Sequence, residues 1–311
     1  MTESFDVAVV GGGPAGLSAA LNLVRARRTV LLVDANRPRN SATLRSHGYL
    51  TRDGISPLEL RRLGREELLA YEGATHWQTI ATAVSTTAGG FEVRCEQRGE
   101  VRTATARVVV AATGLHETLP ALPSMRAWYG TALHSCMECD GWDKRDEPLA
   151  LLGAHPDLAE RALLLSQWSD DIVVFTGGAE VVTAAEEAGL TARGIRVERR
   201  AVRDVVGERG AMTGVELVDG EVVPRTAGFV RPEWSPALEY LGPLSPRLDD
   251  DGLLVVDDHG RTSVDGLYAA GESTAPGPQQ LIVAAGAGAR IAAVVNRDLV
   301  GGLHDLPDAV Q

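Results

Sequence analysis

The chain has 311 residues, a formal net charge of −12 and three cysteines. That length is enough for two ordinary domains, and the negative charge argues against nucleic acid binding. The N-terminus lacks the basic segment that opens a secretory signal, and the longest apolar run near the C-terminus, ended by Arg290, is too short for a bilayer. We therefore expect a cytoplasmic protein without nucleic acid or membrane partners. Three cysteines do not make a disulfide scaffold.

The first segment of the chain is predicted to form a strand, a glycine turn, a helix and a second strand that ends at an aspartate. After an apolar run, Gly11, Gly13 and Gly16 fit G-x-G-x-x-G at the start of a helix predicted over 14–27. In such a unit the glycines permit the tight turn, the approach of a pyrophosphate, and close packing of helix on strand. Asp34 ends the second strand, where a carboxylate accepts from a ribose 2′-hydroxyl and repels a 2′-phosphate. The pattern predicts a Rossmann-like unit for FAD or NAD, not NADP.

The next part predicts one helix and a small β meander. Ser56 and Glu59 fit a capping box before a helix that runs to about Tyr71. Residues 77–113 alternate in polarity and carry turn signals, which is typical of a meander. They end in the buried-strand pattern VVVAAT, and the prolines that follow indicate a crossover into a second domain.

The segment HSCMECDGWD, residues 134–143, places Cys136 and Cys139 in C-x-x-C. Two sulfurs at this spacing form a reversible two-electron store, and a cytosolic pair near βαβ patterns favours redox chemistry. A zinc site is the first alternative, with His134 as a third ligand, but zinc needs about four ligands and no second pair exists. A purely structural disulfide is the second alternative, and it is unusual in a chain with a full-sized core.

After the cysteines, the opening pattern repeats at an offset of 142 residues. The copy keeps its first glycine as Gly153 but has His155 and Leu158 in place of the other two. Thr176 stands where the first copy has its acid, and no arginine follows until Arg193. The imidazole of His155 should block the approach of a phosphate, and Leu158 should hold the helix off its strand. The segment after Thr176 has no nearby arginine to bind a 2′-phosphate. We expect a second Rossmann-like unit that does not bind NADPH tightly; the alternative is a degenerate site that still works.

The last part predicts a hairpin over 211–230, a proline-marked return crossover, a buried strand over 262–272 and a long helix from near Pro278. Together the motifs VVGGGPAG, VVVAATG, C-x-x-C and TSVDGLYAAGE followed by PQQ resemble the low-molecular-weight thioredoxin reductases, a family of flavoproteins. They occur in the family's order over nearly the whole chain.

The resemblance implies an α/β fold of two Rossmann-like, three-layer ββα domains of the FAD/NAD(P)-binding type. Residues 1–117 and 248–311 would form a discontinuous FAD-binding domain. Residues 118–247 would form an inserted, degenerate NAD(P)-binding-like domain that carries the C-x-x-C. A homodimer is also implied.

Site roles follow from the same resemblance. Cys139 would lie beside the flavin, Cys136 would exchange with the substrate, and Asp140 would donate and accept protons; no metal is expected. The residues expected along FAD are Gly11, Gly13, Pro14, Ala15, Gly16, Asp34, His47, Thr113, Gly114, Gly271, Glu272, Gln280 and Leu281.

Two departures from the family pattern bear on function. Glu272 stands where the reductases usually have Asp, and the second fingerprint is broken although they need NADPH there. The second departure resembles the FAD-dependent dithiol oxidases of the gliotoxin and holomycin type, which close disulfides in small dithiols and pass the electrons to O2. Those enzymes commonly carry His after the second cysteine, where this chain has Asp140.

We therefore predict an FAD-dependent thiol–disulfide oxidoreductase, most simply an oxidase of a small dithiol with O2 as acceptor. A reductase of a thioredoxin-like protein, drawing on NADPH or on another donor such as ferredoxin, is the first rival. A flavin-binding scaffold or sensor without turnover is the second, and the intact C-x-x-C argues against it.

Overall fold

The computed structural model describes residues 3–275 and 277–301. The strands are β1 Glu3–Val10, β2 Val30–Val33, β3 Ala74–Trp77, β4 Ile80–Thr87, β5 Gly90–Gln97, β6 Glu100–Ala111, β7 Leu115–Thr118, β8 Leu133–His134, β9 Leu149–Leu152, β10 Ile172–Phe175, β11 Arg196–Glu198, β12 Val202–Glu208, β13 Ala211–Leu217, β14 Val222–Pro224, β15 Ala227–Val230, β16 Glu233–Pro236 and β17 Leu267–Ala269. The α-helices are α1 Pro14–Arg25, α2 Pro57–Leu69, α3 Met125–Trp128, α4 Met137–Asp140, α5 Leu158–Leu165, α6 Ala184–Thr191 and α7 Leu281–Val300. Short 3₁₀ turns cover Arg39–Ala42, Trp142–Lys144, Glu239–Leu244 and Gly271–Ser273.

The chain folds into two compact units. The first contains the residues up to Arg39, Gly48–His116, and those from Ser235 on. Its seven-stranded sheet has the order β3-β2-β1-β6-β5-β4, and β17 also pairs with β6. The predicted meander is present as β4, β5 and the first half of β6. The apolar second half of β6 continues past it, between β1 and β17, as a parallel strand.

Both faces of the first sheet are covered. Val7 and Val9 of β1 pack into a core shared with α1 and α7, while Phe5 and Ala8 face a second core on the other side. Burial of both faces explains the continuous apolar runs of these parallel strands. Helix α7 lies close against α1, since a Cβ built on Gly288 would be only 2.0 Å from a backbone oxygen of α1.

The capping box predicted before α2 is wrong. Ser56 is the N-cap residue, but its side chain makes no capping hydrogen bond. The Glu59 carboxylate instead accepts from Arg62, at 2.7 Å to both oxygens. An arginine one turn away has outcompeted the backbone for this carboxylate, because a charge-assisted bidentate pair is the stronger interaction.

The second unit contains Asn40–His47 and Glu117–Trp234. A five-stranded parallel sheet, in the order β11-β10-β9-β15-β8, forms its centre, and β12, β13 and β14 form an antiparallel sheet. The predicted hairpin is β13 and β14. β15 leaves it and joins the parallel sheet, where all four of its residues are buried.

The predicted α/β class with Rossmann-like sheets is confirmed. Apart from the short excursion of 40–47, the chain passes into the second unit after His116, next to the expected boundary at 117. The return falls after Trp234, earlier than the expected boundary at 247, because the proline-rich stretch that follows packs with the first unit. Within the described ranges, no helix has the length and apolar character that crossing a bilayer requires.

Candidate active site

The first glycine turn fits a dinucleotide phosphate. Gly11 has φ +111°, and a Cβ there would lie 2.2 Å from the backbone oxygen of Ala112. A Cβ on Gly16 would lie 1.8 Å from the Gly11 oxygen, so turn and helix can pack only with glycine. At Gly13, no described atom comes within 4 Å of a built Cβ, and α1 begins directly after it, at Pro14. The helix N-terminus therefore presents its N–H groups to open space, as phosphate binding requires.

The acid at the end of β2 already has protein partners. Asp34 is 5% exposed, and its carboxylate accepts from Arg61 Nη2 at 2.6 Å and from the Asn36 backbone N–H at 2.9 Å. Arg61 also donates through Nε to the Gly12 carbonyl at 3.0 Å. Arg61 thus ties the glycine turn to the acid from α2, and the sequence reading missed it. The carboxylate has about four lone-pair positions, so it retains capacity for a ribose hydroxyl.

Three buried nitrogens lie near this carboxylate. Arg61 Nη1, Arg65 Nη1 and His76 Nε2 make no hydrogen bond among the described residues, although Arg65 Nη1 is 4.0 Å from Asp34 Oδ2. Burial lowers the pKa of His76 below its ordinary value, which favours the neutral ring. Orphaned buried donors are costly unless a ligand satisfies them, so this end of the unit fits the polar edge of an adenosine group.

At the other end of the expected cofactor path, Glu272 pairs with an arginine. Arg39 Nη2 lies 2.6 Å from both Glu272 oxygens, and Arg39 Nη1 donates to Gln279 Oε1 at 3.1 Å. From the sequence, the contact made by the longer side chain of Glu272 could not be assigned. In the structure its carboxylate pairs with Arg39. These contacts join the segment after β2 to the turn that precedes α7.

The remaining expected cofactor residues of the first unit lie just after β6, on the turn at Gly271 and at the start of α7. Thr113 Oγ1 donates to the Ala237 carbonyl at 2.7 Å, and the Gly114 N–H donates to Ser273 Oγ at 2.8 Å. Gly271 has φ +70° and lies against Ala15, where a Cβ would approach that side chain to 2.9 Å. The start of α7 is formed by Gln280, its N-cap residue, and Leu281, its first helical residue.

In the second unit, Cys136 and Cys139 form a disulfide with an S–S distance of 2.02 Å. Cys136 is the N-cap residue of α4, and its sulfur accepts from the Cys139 backbone N–H at 3.2 Å. An N–H aimed at this sulfur stabilises its thiolate after reduction, which suits an exchanging thiol. Cys95 is separate and fully buried, and burial raises its pKa to about 11.

The residue before the disulfide is fixed from two sides. Ser135 Oγ lies 2.8 Å from the hydroxyl of Tyr129, which also donates to Glu117 Oε2 at 2.7 Å. The Ser135 carbonyl accepts from Arg161 Nη2 at 2.8 Å, across from α5. The sequence reading missed all of these supports, since no spacing pattern links them to the cysteines.

Two histidines lie beside carboxylates at this turn. His134 Nδ1 is 3.2 Å from Asp140 Oδ1, and its Nε2 is 2.8 Å from the Thr131 carbonyl. His47 Nε2 is 3.2 Å from Asp143 Oδ2. The structure thus groups His47, expected along the cofactor, with the second unit.

The second fingerprint differs from the first in backbone as well as in side chains. α5 begins at Leu158, whereas the alignment with α1 would start it at Pro156. The donors that should face a phosphate turn inward: Leu158 N–H donates to the His155 carbonyl at 3.1 Å, and Asp157 N–H to His155 Nδ1 at 3.3 Å. Leu158 was expected to hold the helix off its strand; it lies fully buried in the core of the unit instead, because the helix starts later.

A salt bridge stands at the start of α5, where a pyrophosphate would lie. Asp157 is the N-cap residue and accepts from Arg231 Nε at 2.8 Å, with His155 Nδ1 also 2.8 Å away. Arg231 packs against Gly153, where a Cβ would meet its side chain at 2.7 Å, and its guanidinium stacks on the Trp234 ring at 4.1 Å. Burial raises the pKa of Asp157, but the bond and charge of Arg231 outweigh that effect and the net shift is downward.

The arginines nearest the end of β10 are neutralised. Arg199 pairs with Glu187 at 2.7 Å, and Arg200 pairs with Glu198 and Glu221 at the same distance. Thr176 is buried at the end of β10. A 2′-phosphate would have to displace a carboxylate from either guanidinium.

Residues 5–288 match the family model described as pyridine nucleotide-disulphide oxidoreductase. The crystal structure of HlmI superposes with a TM-score of 0.89 and 36% identity, over 96% of this chain and 94% of that chain. The thioredoxin reductase sirT of Leptosphaeria maculans is 28% identical over 96% of this chain and 95% of its own length. The probable thioredoxin reductase of Arthroderma benhamiae is 35% identical, but the match spans 57% of this chain and only 44% of that protein.

The chain belongs to the pyridine nucleotide-disulphide oxidoreductase family. It is a thioredoxin-reductase-like enzyme, as the resemblance implied. In this disulfide oxidoreductase, the first unit brings together the glycine turn, Asp34 and the turn before α7. The second unit brings together Cys136, Cys139 and Asp140. Arg39, Arg61 and Arg161 are additions from the structure. No motif contains these three arginines, and an isolated arginine is too common in a sequence to identify a site.

Proposed function

We propose that this oxidoreductase closes a disulfide in a small dithiol and delivers the electrons to oxygen. The observation that carries the proposal is the salt bridge of Asp157 with Arg231 at the start of α5. It fixes a carboxylate, with its guanidinium partner, where NADPH would need to place a pyrophosphate, so a phosphate there would have to break this pair. With the entry for hydride closed, the proposed source of the electrons is the thiol substrate.

The proposed thiol–disulfide exchange involves the cysteine pair and two substrate thiols. One substrate thiolate attacks Cys136, the S–S bond breaks, and Cys139 leaves as a thiolate. The second substrate thiolate attacks the substrate's own sulfur in the mixed disulfide; the bond from that sulfur to Cys136 breaks, which releases the closed product and the Cys136 thiolate. The substrate has then lost two electrons and two protons, and the cysteine pair holds the electrons. The N–H of Cys139 at the Cys136 sulfur supports this order of attack.

FAD is the proposed cofactor, held by the first unit. Gly11, Gly13, Gly16 and the N-terminus of α1 would take its pyrophosphate, and Asp34 with the donors around it would take its adenosine end. Glu272, Gln280 and Leu281 would lie toward its flavin end. When bound, FAD supplies the acceptor for the two electrons and their transfer to oxygen, which becomes hydrogen peroxide. The proposal includes the cytoplasm as the compartment and a homodimer as the assembly.

A disulfide reductase is the second candidate. Asp140 favours it, because the reductases carry Asp at this position, and sirT is named a thioredoxin reductase. A thioredoxin-like protein would then be the substrate, with NADPH or a donor such as ferredoxin. The paired arginines at β10 and the inward donors at α5 support the oxidase over the NADPH-dependent form.

Oxygen uptake with dithiothreitol tests the proposed function. We expect the wild-type protein to consume oxygen and form peroxide in equal amounts, one molecule per dithiol closed. Cys136→Ser and Cys139→Ser should each abolish uptake while FAD stays bound, because the sulfurs and the glycine turn belong to different units. Cys95→Ala is the matched control and should retain uptake. Uptake that persists in either Ser variant would contradict exchange at this pair.

A further inference from the structure

Arg161 of α5 is joined to the turn that carries the disulfide. Its Nη2 donates to the Ser135 carbonyl at 2.8 Å, and Ser135 directly precedes Cys136. The Arg161 Nε is buried and has no hydrogen-bond partner among the described residues. An unsatisfied buried N–H is costly, and native proteins keep such groups at redox and catalytic sites among other places.

Ser135 is also held through its side chain. The Tyr129 hydroxyl lies 2.8 Å from Ser135 Oγ and 2.7 Å from Glu117 Oε2. Tyr129 directly follows α3, whereas Arg161 lies one turn into α5. Two contacts that bind one residue from different elements leave its backbone little freedom.

The fixed residue leads directly into the redox turn. Cys136 is the N-cap residue of α4, and its sulfur accepts from the Cys139 N–H at 3.2 Å. Closing a ring between two sulfurs removes backbone freedom from the turn, and that loss is smaller where the turn is already fixed. The two contacts on Ser135 therefore favour the closed disulfide over the open dithiol.

The charge of Arg161 would act in the opposite direction, because a cation near the sulfurs stabilises a thiolate and favours the reduced pair. Burial, the largest effect, lowers the pKa of Arg161, and the charge of Arg231 lowers it further. The carboxylates of Asp157 and Glu138 act against both effects. Two guanidinium groups and two carboxylates leave no net charge in this group, so the hydrogen bond to Ser135 decides the direction.

We propose that Arg161 is a positioning residue that holds the Cys136–Cys139 turn in the geometry of the closed disulfide. Its hydrogen bond to the Ser135 carbonyl stabilises the disulfide relative to the dithiol. The inference rests on the redox role of the cysteine pair, but not on oxygen as the electron acceptor. It also gives α5 a use in place of phosphate binding, since the helix whose start is closed by Asp157 supports the redox turn.

A redox titration of the FAD-bound protein without oxygen tests the proposal. The protein is equilibrated with mixtures of reduced and oxidised dithiothreitol, then acid-quenched and alkylated, and peptide mass spectrometry counts the reduced Cys136 and Cys139. Dithiothreitol loses two electrons and two protons as it closes its own disulfide, and the protein S–S bond opens to two thiols. Arg161→Met removes the donor but keeps an unbranched side chain. We expect its equilibrium constant for reduction to rise roughly tenfold, which corresponds to a potential about 30 mV higher.

Arg225→Met is the matched control. Arg225 is buried in the same unit, donates to the Asp171 carbonyl at 3.2 Å and also has an Nε without a partner among the described residues. Asp171 precedes the start of β10, whereas Cys136 follows the end of β8 in the same parallel sheet, so the two positions lie at opposite edges. The control should lower the melting temperature and leave the potential unchanged.

Ser135→Ala is a milder variant that removes the other contact, while the Tyr129 hydroxyl keeps its bond to Glu117. Its potential should also rise, and it decides the question if Arg161→Met does not fold. An unchanged potential in Arg161→Met overturns the proposal and makes the arginine purely structural. A lower potential overturns it too, because the charge would then dominate. Thiols are counted at equilibrium, so a protein that consumes no oxygen still gives a result.

Discussion

At the scale of single residues, the buried pair of Arg61 and Asp34 decides the geometry of the proposed cofactor end. Both side chains are nearly inaccessible, at 5% and 7% exposure. Asp34 also explains why the turn has a third glycine, since a Cβ on Gly12 would lie 2.3 Å from its carboxyl group. Removing one partner of such a pair leaves an uncompensated buried charge.

Arg61→Ala should therefore lower the free energy of unfolding of the cofactor-free protein, by about 3–5 kcal/mol, the range typical of broken buried pairs. The same variant should retain FAD poorly, because the Gly12 carbonyl loses its donor. Urea unfolding followed by fluorescence provides the measurement. Arg62→Ala is a matched control on the same helix, since Arg62 pairs with Glu59 and Glu66 in solvent. Equal stabilities for the two variants would contradict this account of Arg61.

From the sequence we could select candidate site residues that belong to motifs, but not the arginines that contact them. Gly11, Asp34 and the cysteine pair have fixed spacings that follow from the chemistry they perform. Arg39 contacts Glu272 and Arg61 contacts Asp34, although each pair is far apart in the chain. Only the folded backbone brings these contacts together, so no local pattern could have indicated them.

At the scale of elements, α1 and α5 show how one pattern gives two outcomes. Both follow a buried parallel strand, but α1 starts directly after its glycine turn, at Pro14, whereas α5 starts two residues later than the alignment predicts. Asp157 is stabilised as a carboxylate by Arg231, so its pKa is lowered relative to the unfolded chain. A lowered pKa adds stability above the unfolded value of 3.8, and that stability is lost as pH falls through the folded value.

Asp157→Asn should consequently lower the melting temperature at pH 7, and its difference from the wild-type protein should shrink as the pH falls below about 4. Thermal unfolding between pH 3 and pH 7 measures the difference. Asp170→Asn, at an exposed position before β10, serves as the control. A difference that grows toward acid pH would show that the Asp157–Arg231 pair does not close this helix end.

Element bounds were predictable where apolar periodicity was strong. α7 was expected near Pro278 and begins at Leu281; β13 and β14 form the predicted hairpin. The failures at Ser56 and at β15 are alike in one respect. In each case a stronger partner displaced the predicted one: Arg62, one turn along the same helix, in the first case, and the parallel sheet in the second.

At the scale of the whole molecule, the chain forms two units that share the Rossmann-like architecture but differ at the turn after the first strand of each. The fold class was predictable because the fingerprint occurs twice and the C-terminal motifs return to the first unit. The assignment of 40–47 to the second unit was not, because it depends on long-range packing: a Cβ on Gly130 would lie 2.1 Å from the Ala42 oxygen. Such an approach leaves no trace in local sequence.

The direction of electron flow is the central claim, and anaerobic stopped-flow reduction tests it most directly. The oxidised, FAD-containing protein is mixed separately with NADPH and with dithiothreitol, and flavin absorbance is followed. The closed α5 terminus and the paired arginines predict that dithiothreitol bleaches the flavin, whereas NADPH at millimolar concentration does so slowly or not at all. Bleaching within seconds by micromolar NADPH would contradict the oxidase and restore the NADPH-dependent reductase.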